Sequence, residues 1–190
     1  VSVHPRYHCS HAQPTDSGAY SVVVSNAFGI GISSNAVLTI TPLYTFITLA
    51  GRAGTFGSAD ETGSAARFGS PQGVAVDSDA NVYVADTYNS CIRMITPAGV
   101  VTTLAGIGGL GSSSGSADGT GSAARFNQPS GVAVDNARNV YVADAYNYTI
   151  RKIDASGIVS TVAGLPGVQG SADGTGGNAL FSEPTFLPRT

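Results

Sequence analysis

Lysine is almost missing from this chain of 190 residues. Lys152 stands alone, and 9 basic residues against 12 acidic ones leave a formal charge of −3. That excludes a general nucleic-acid binder, which needs a basic surface to displace phosphate counterions. Charged residues of both signs make up only 11%, under half the usual share, yet 42% apolar residues are enough for a core. Lys, Glu, Gln and Met are scarce, so a long helical bundle is excluded. No apolar run reaches the roughly 18 residues of a membrane helix. The two cysteines, Cys9 and Cys91, lie in segments of different character and have no framework spacing, so neither a disulfide nor a structural zinc site is expected. The chain begins at Val1. It reads as part of a longer protein, so the lack of a leader carries no weight on export.

Glycine is abundant, with 25 residues, and there are 8 tyrosines. This is the composition of short strands joined by tight turns. Comparing the chain with itself is the most informative step. Residues 57–95 and 115–153 align without a gap, and 28 of 39 positions are identical. A third copy begins GSADGTGGNALFSEP at Gly170. Each full copy holds four apolar runs rich in Val, Ile and Tyr: Gly73–Val76, Asn81–Ala85, Ile92–Ile95 and Val100–Ala105, then Gly131–Val134, Asn139–Ala143, Ile150–Ile153 and Ile158–Ala163. Gly, Pro, Asn and Asp bound them, so they are expected to be strands. Runs such as VYVA are apolar on both faces, which predicts sheets covered on both sides. Four antiparallel strands per copy, stacked on neighbours, describe propeller blades.

The pattern PxGVAVDxxxNVYVADxxNxxIRxI, followed by a Gly turn and TxAG, resembles the NHL repeat. The resemblance covers about Phe46 to Pro184, although Asn89-Ser90-Cys91 and Asn147-Tyr148-Thr149 replace the namesake tripeptide. It implies an all-β fold: a partial, open propeller of four-stranded blades, two full and one incomplete, over 43–190. The inserted stretch GSADGTGSAARFN lengthens each copy. In it, Ala65-Ala66-Arg67-Phe68 is expected to form a short helical turn, with Phe68, Phe126 and Phe181 as buried anchors. The first 42 residues look like the C-terminal part of an immunoglobulin-like domain. Asp16-Ser17-Gly18-Ala19-Tyr20 resembles a tyrosine corner, but Val22 stands where the second cysteine belongs. About three strands remain, with a turn at Asn26–Gly29, and Thr41-Pro42 is the expected boundary.

Catalytic chemistry finds little support. His4, His8 and His11 all lie in the N-terminal stretch, so nothing in the repeats can activate a serine or ring a metal. Asp60, Glu61, Asp118 and Asp173 in the inserts are too few for calcium. GIGGLGSSSG lacks the lysine of a phosphate loop. Asp86 and Asp144 are expected to bond backbone N–H groups of the following turn, and Arg93 and Arg151 to pair with polar groups nearby. No cofactor or metal is expected.

The reading is a non-catalytic recognition or scaffold module of a bacterial, extracellular or cell-surface protein, binding protein or glycan. The alternative is a piece of a propeller hydrolase or lyase whose catalytic residues lie elsewhere. No nucleic-acid partner and no membrane insertion are expected, and open blade edges could self-associate. Binding is expected at one end of the blades, where Arg67, Tyr88 and Asn89 of one copy and Arg125, Tyr146 and Asn147 of the next emerge, because Tyr and Arg concentrate interface energy. The opposite end offers short turns such as Asp77–Ala80 and Asp135–Arg138.

Overall fold

The computed structural model describes residues 17–21, 23–32, 34–39, 46–109 and 114–185. The chain divides into two compact units, Val1–Ile47 and Thr48–Thr190. The described residues form strands and single-turn 3-10 segments, with no α-helix.

In the first unit, β1 (Gly18–Tyr20) pairs antiparallel with β4 (Ala36–Leu38), and β2 (Val23–Asn26) pairs with β3 (Gly29–Ile32) across a turn at Ala27-Phe28. Tyr20 faces Ala36 and Val23 faces Ile32. The two pairs form separate two-stranded sheets, and four strands are one more than expected. His4, His8, His11, Cys9 and Asp16 lie outside the described residues.

The second unit repeats one sheet. β5 (Gly73–Val76), β6 (Val82–Asp86), β7 (Cys91–Ile95) and β8 (Val101–Ala105) form an antiparallel sheet in chain order. β10 (Pro129–Val134), β11 (Val140–Asp144), β12 (Thr149–Ile153) and β13 (Ile158–Ala163) form the next. The registers are equivalent: Val84 faces Arg93 as Val142 faces Arg151. The second sheet has a fifth strand that the sequence did not suggest. β9 (Gly119–Thr120), from the insert, pairs with the outer strand β13, and Thr62 bridges Val100 at the same place in the first copy.

The two sheets pack face to face. Tyr83, Ala85 and Ile92 of the first meet Val132, Val140, Val142, Ile153, Val159 and Phe126 of the second, all buried. Contact is closest at the inner strands: a Cβ on Gly73 would lie 2.5 Å from the Ser130 carbonyl oxygen, so only glycine fits there. The opposite face of the first sheet is less covered. Val74 is 65% exposed, whereas its equivalent Val132 is 6% exposed. Each sheet is covered by its neighbour on one face, not on both as the VYVA runs implied: Tyr141 and Ile150, on the second sheet's other face, are only half-buried where Tyr83 and Ile92 are buried.

The inserts run along the outer edges. Each makes a 3-10 turn at Gly63–Ala65, Gly121–Ala123 or Gly176–Asn178, two residues before the position expected from the sequence. The anchors differ. Phe126 is fully buried between sheets, while Phe68 and Phe181 are half-buried because only one sheet covers them.

Candidate functional site

Strand direction sorts the loops into two ends. Gly73 faces Ala85 and Asp86 faces Cys91, so the entry to β5 and the turn after β6 share one end. The 3-10 turns Thr87–Asn89 and Ala145–Asn147 stand there. The turns at 77–81 and 96–100 stand at the other.

Beneath each 3-10 turn lies a repeated polar cluster. Asp86 is fully buried; its Oδ1 accepts the Gly69 N–H at 2.6 Å, and its Oδ2 accepts from Asn89 Nδ2 at 2.8 Å and Arg93 Nη1 at 2.9 Å. Arg93, also fully buried, donates on to the carbonyls of Arg67 and Ala59 and to Asp60 Oδ1. Its guanidinium stacks 5.0 Å above the Phe68 ring. The second copy reproduces every contact: Asp144 takes the Asn127 N–H, Asn147 and Arg151, and Arg151 reaches Arg125, Ala117 and Asp118 over Phe126. The carboxylates therefore accept a backbone N–H from the chain before the first strand, and hold the following turn through its Asn side chain instead of its backbone. That long-range partner was invisible in sequence. Burial pushes the Asp144 carboxyl up, to about 6, against the pull of the Asn127 N–H, the Asn147 amide and Arg151.

In each copy the cluster links the insert, the 3-10 turn and the sheet. Asp60 and Asp118 also accept from Thr103 and Thr161, so each pins its insert to the outer strand. Among the described residues no group of three His, Cys, Asp or Glu could hold a metal. Cys91 is buried with a free thiol, pushed up to about 12 by burial and by Asp86.

The six residues expected at the binding end divide accordingly. Asn89 and Asn147 are buried, their amides bonded to the Gly57 and Gly115 carbonyls and to the aspartates. Arg67 Nη1 turns back onto the carbonyls of Ser64, Ala65 and Ala66, and Arg125 Nη1 onto those of Ser122 and Ala124. Both arginines cap the 3-10 turns of their inserts. Tyr88 and Tyr146 are 53% and 46% exposed. Their backbone N–H groups donate to Gly69 and Asn127 carbonyls at 2.9 and 3.1 Å, so two rings stand on rigid, equivalent platforms. The opposite end is less bare than its short turns suggest. A cavity of about 300 Å³ opens between the sheets there, lined by Tyr83, Met94, Leu104 and Val140 with Arg138 and Asp154. Arg138 pairs with Asp79 of the neighbouring sheet.

The repeated Asp–Asn–Arg cluster coincides with a family match. The NHL repeat model matches residues 68–93 and 126–153. The chain carries NHL repeats. Over 139 residues it is 35% identical to NHL repeat-containing protein 2 of Bos taurus, covering 70% of this chain and 18% of that protein. Over 100 residues it is 35% identical to the Arabidopsis thaliana protein SUPPRESSOR OF QUENCHING 1, chloroplastic, covering 52% of this chain and 9% of that protein. The chain thus spans under a fifth of the length of these relatives. A solved structural genomics protein of unknown function from Bacteroides thetaiotaomicron superposes with a TM-score of 0.53 at 26% identity, covering 62% of this chain and 42% of that one. The fold is all-β and propeller-like. No helix among the described residues is long and apolar enough to cross a membrane.

Proposed function

We propose that the NHL repeats form four-stranded blades of an open propeller that acts as a non-catalytic recognition or scaffold module. The observation that carries this is the contrast within each repeat. The buried Asp, Asn and Arg side chains hold the insert and the 3-10 turn in place, and one tyrosine per repeat is displayed on top. Rigid, exposed tyrosines lose little conformational entropy on binding, which suits them to recognition. The ligand is a protein or glycan. The module works outside the cell or at a bacterial cell surface, a reading that rests on the low lysine content and on the resemblance of the sequence of residues 1–42 to the end of an immunoglobulin-like domain.

The test is an array of glycans and peptides probed with the chain and with Tyr88→Ala/Tyr146→Ala, with melting temperature measured on both. Binding lost at an unchanged melt supports the recognition surface. Binding unchanged, with a lowered melt, would make the tyrosines structural and place the site elsewhere.

A further inference from the structure

The cavity of about 300 Å³ between the two sheets, at the end away from Tyr88 and Tyr146, has no part in the proposed function. Some of its walls belong to the repeat: Asn81, Tyr83 and Val140 have Asn139, Tyr141 and Val82 as counterparts. The others are where the copies differ. Met94 stands where the second copy has Lys152, Arg138 where the first has Ala80, and Asp154 where the first has Thr96. Asp79, which pairs with Arg138, has Ala137 as its counterpart. The lining is therefore particular to this junction. Tyr83 and Val140 are buried, Met94 and Leu104 half-buried, and together they make the cavity's apolar wall. The polar side chains beside them offer acceptors. Asp154 Oδ1 accepts the Ser156 and Ile158 N–H groups at 2.8 and 3.0 Å, and its Oδ2 has no hydrogen-bond partner among the described residues. Asn81 uses its N–H and its Nδ2 on Asp77, at 2.8 and 3.0 Å, which leaves its Oδ1 to accept. The Tyr83 hydroxyl also donates to Asp77, at 3.0 Å.

We propose that this cavity binds a protonated primary amine carried on a short alkyl chain. The alkyl chain lies along Met94, Leu104, Val140 and the Tyr83 ring, and the ammonium donates to Asp154 Oδ2. Charge selects this chemistry. Arg138 is the one cation in the lining, and Asp79 already pairs with it. Lys152 is on the other face of its strand from Ile153, which packs against the first sheet. Asp77 and Asp154 have no ion pair among the described residues. Three carboxylates thus stand against one guanidinium, so an anion would be repelled. An ammonium has three donors and no acceptor, which suits walls that offer acceptors. A wholly apolar ligand would strip water from the Asp154 carboxylate and return no hydrogen bond. The volume is at the low end for a small-molecule site, which limits the occupant to a small molecule or a single side chain. The site is separate from the tyrosines, and its assignment does not rest on the recognition reading.

The experiment is a titration of the isotope-labelled 190-residue chain with hexylamine, hexanol and hexanoate at equal ionic strength, followed by amide chemical shifts. Hexylamine should give saturable shifts around Asn81, Tyr83, Met94, Leu104, Arg138, Val140 and Asp154 and none at Tyr88 or Tyr146. Hexanol should bind about tenfold more weakly, because it lacks the charge-assisted hydrogen bond, and hexanoate should not bind. Asp154→Asn keeps an oxygen for the Ser156 and Ile158 N–H groups, so its melt should be unchanged while hexylamine binds about tenfold more weakly. Met94→Lys, the residue that the second copy carries there, supplies an ammonium of its own and should abolish binding. Ala155→Leu, on the exposed turn that lines the cavity, should do so by filling it, and serves if Met94→Lys does not fold. Tyr88→Ala/Tyr146→Ala should bind hexylamine as the wild type does. An absence of saturable shifts with hexylamine overturns the proposal. So does hexanol or hexanoate binding as tightly, or undiminished affinity in Asp154→Asn. Loss of hexylamine binding in the tyrosine variant overturns the location. A lysine derivative blocked at both its amino and carboxyl ends separates two sources of the same group: binding as tight as that of hexylamine assigns the cavity to a lysine of a partner chain, and weaker binding assigns it to a free alkylamine. Failure of every amine leaves the recognition reading standing, since its tyrosines lie at the other end.

Discussion

Replacing Asp144 with Ala tests the central physical claim about the repeat, that a buried ion pair joins insert, turn and sheet. Asp144 and Arg151 are both fully buried and 2.8 Å apart. Truncation leaves Arg151 with Asp118, whose side chain is 51% exposed, and strips the Asn127 N–H of its acceptor. Removing one member of a buried pair costs about 3–5 kcal/mol. Asp118 retains part of the compensation, so the lower end, about 3 kcal/mol, is expected. For a unit the size of Thr48–Thr190 that corresponds to roughly 10 °C in melting temperature. Asp118→Ala, a partly exposed contact, should cost about 1 kcal/mol or less. Replacing both partners, Asp144→Leu with Arg151→Met, should recover part of the loss, because no charge is then left buried. The pH dependence has a definite sign. The folded carboxyl sits at about 6, above the unfolded value near 3.9. Its protonation therefore favours the native state below that point, and this contribution is lost as pH rises through about 6. The deficit of Asp144→Ala should widen as pH falls from 8 to 5. Thermal melts by circular dichroism at the two pH values measure all of this. A shift under about 3 °C at pH 8, or a deficit that narrows in acid, would refute the account.

The two anchor phenylalanines should differ: Phe126→Ala should cost about 3–5 kcal/mol by denaturant titration, and Phe68→Ala clearly less, because only the former is wholly buried. Equal losses would mean that coverage by the neighbouring sheet does not matter. In a Cys9→Ser background, Cys91 should resist thiol reagents at pH 8 until denaturant is added, since its thiol is buried and raised to about 12; rapid labelling of the folded protein would contradict its placement. The exposed face of the first sheet should make the chain associate as concentration rises. Val74→Lys, at a position 65% exposed, should reduce that association in light scattering without lowering the melt of the dilute protein, and no effect of the substitution would assign association to another surface.

Repetition made most of the fold legible. Once 57–95 and 115–153 align, the four runs of each copy follow from their Val, Ile and Tyr content, because strand formation and turn chemistry are local. β5 and β13 begin and end where their runs do, and the other six strands that follow a run shift by one or two residues. The insert was less legible. Its fifth strand, Gly119–Thr120, has no strand composition and forms only because the free edge of β13 supplies hydrogen bonds. The side chains of the candidate site were chosen by loop position, which is also local, yet their availability was not. Asn89 and Asn147 are drawn inward by aspartates on the same turn and by carbonyls 32 residues upstream. Arg67 and Arg125 are taken up by the 3-10 turns before them. Tyr88 and Tyr146 stay exposed because their backbones, not their rings, are bonded to the chain beneath. Residue type and spacing thus determined strands, turns and repeat period. Which polar groups were consumed inside and which were left facing solvent was decided by packing between segments far apart in the chain, since burial and hydrogen-bond partnership are properties of the assembled sheets.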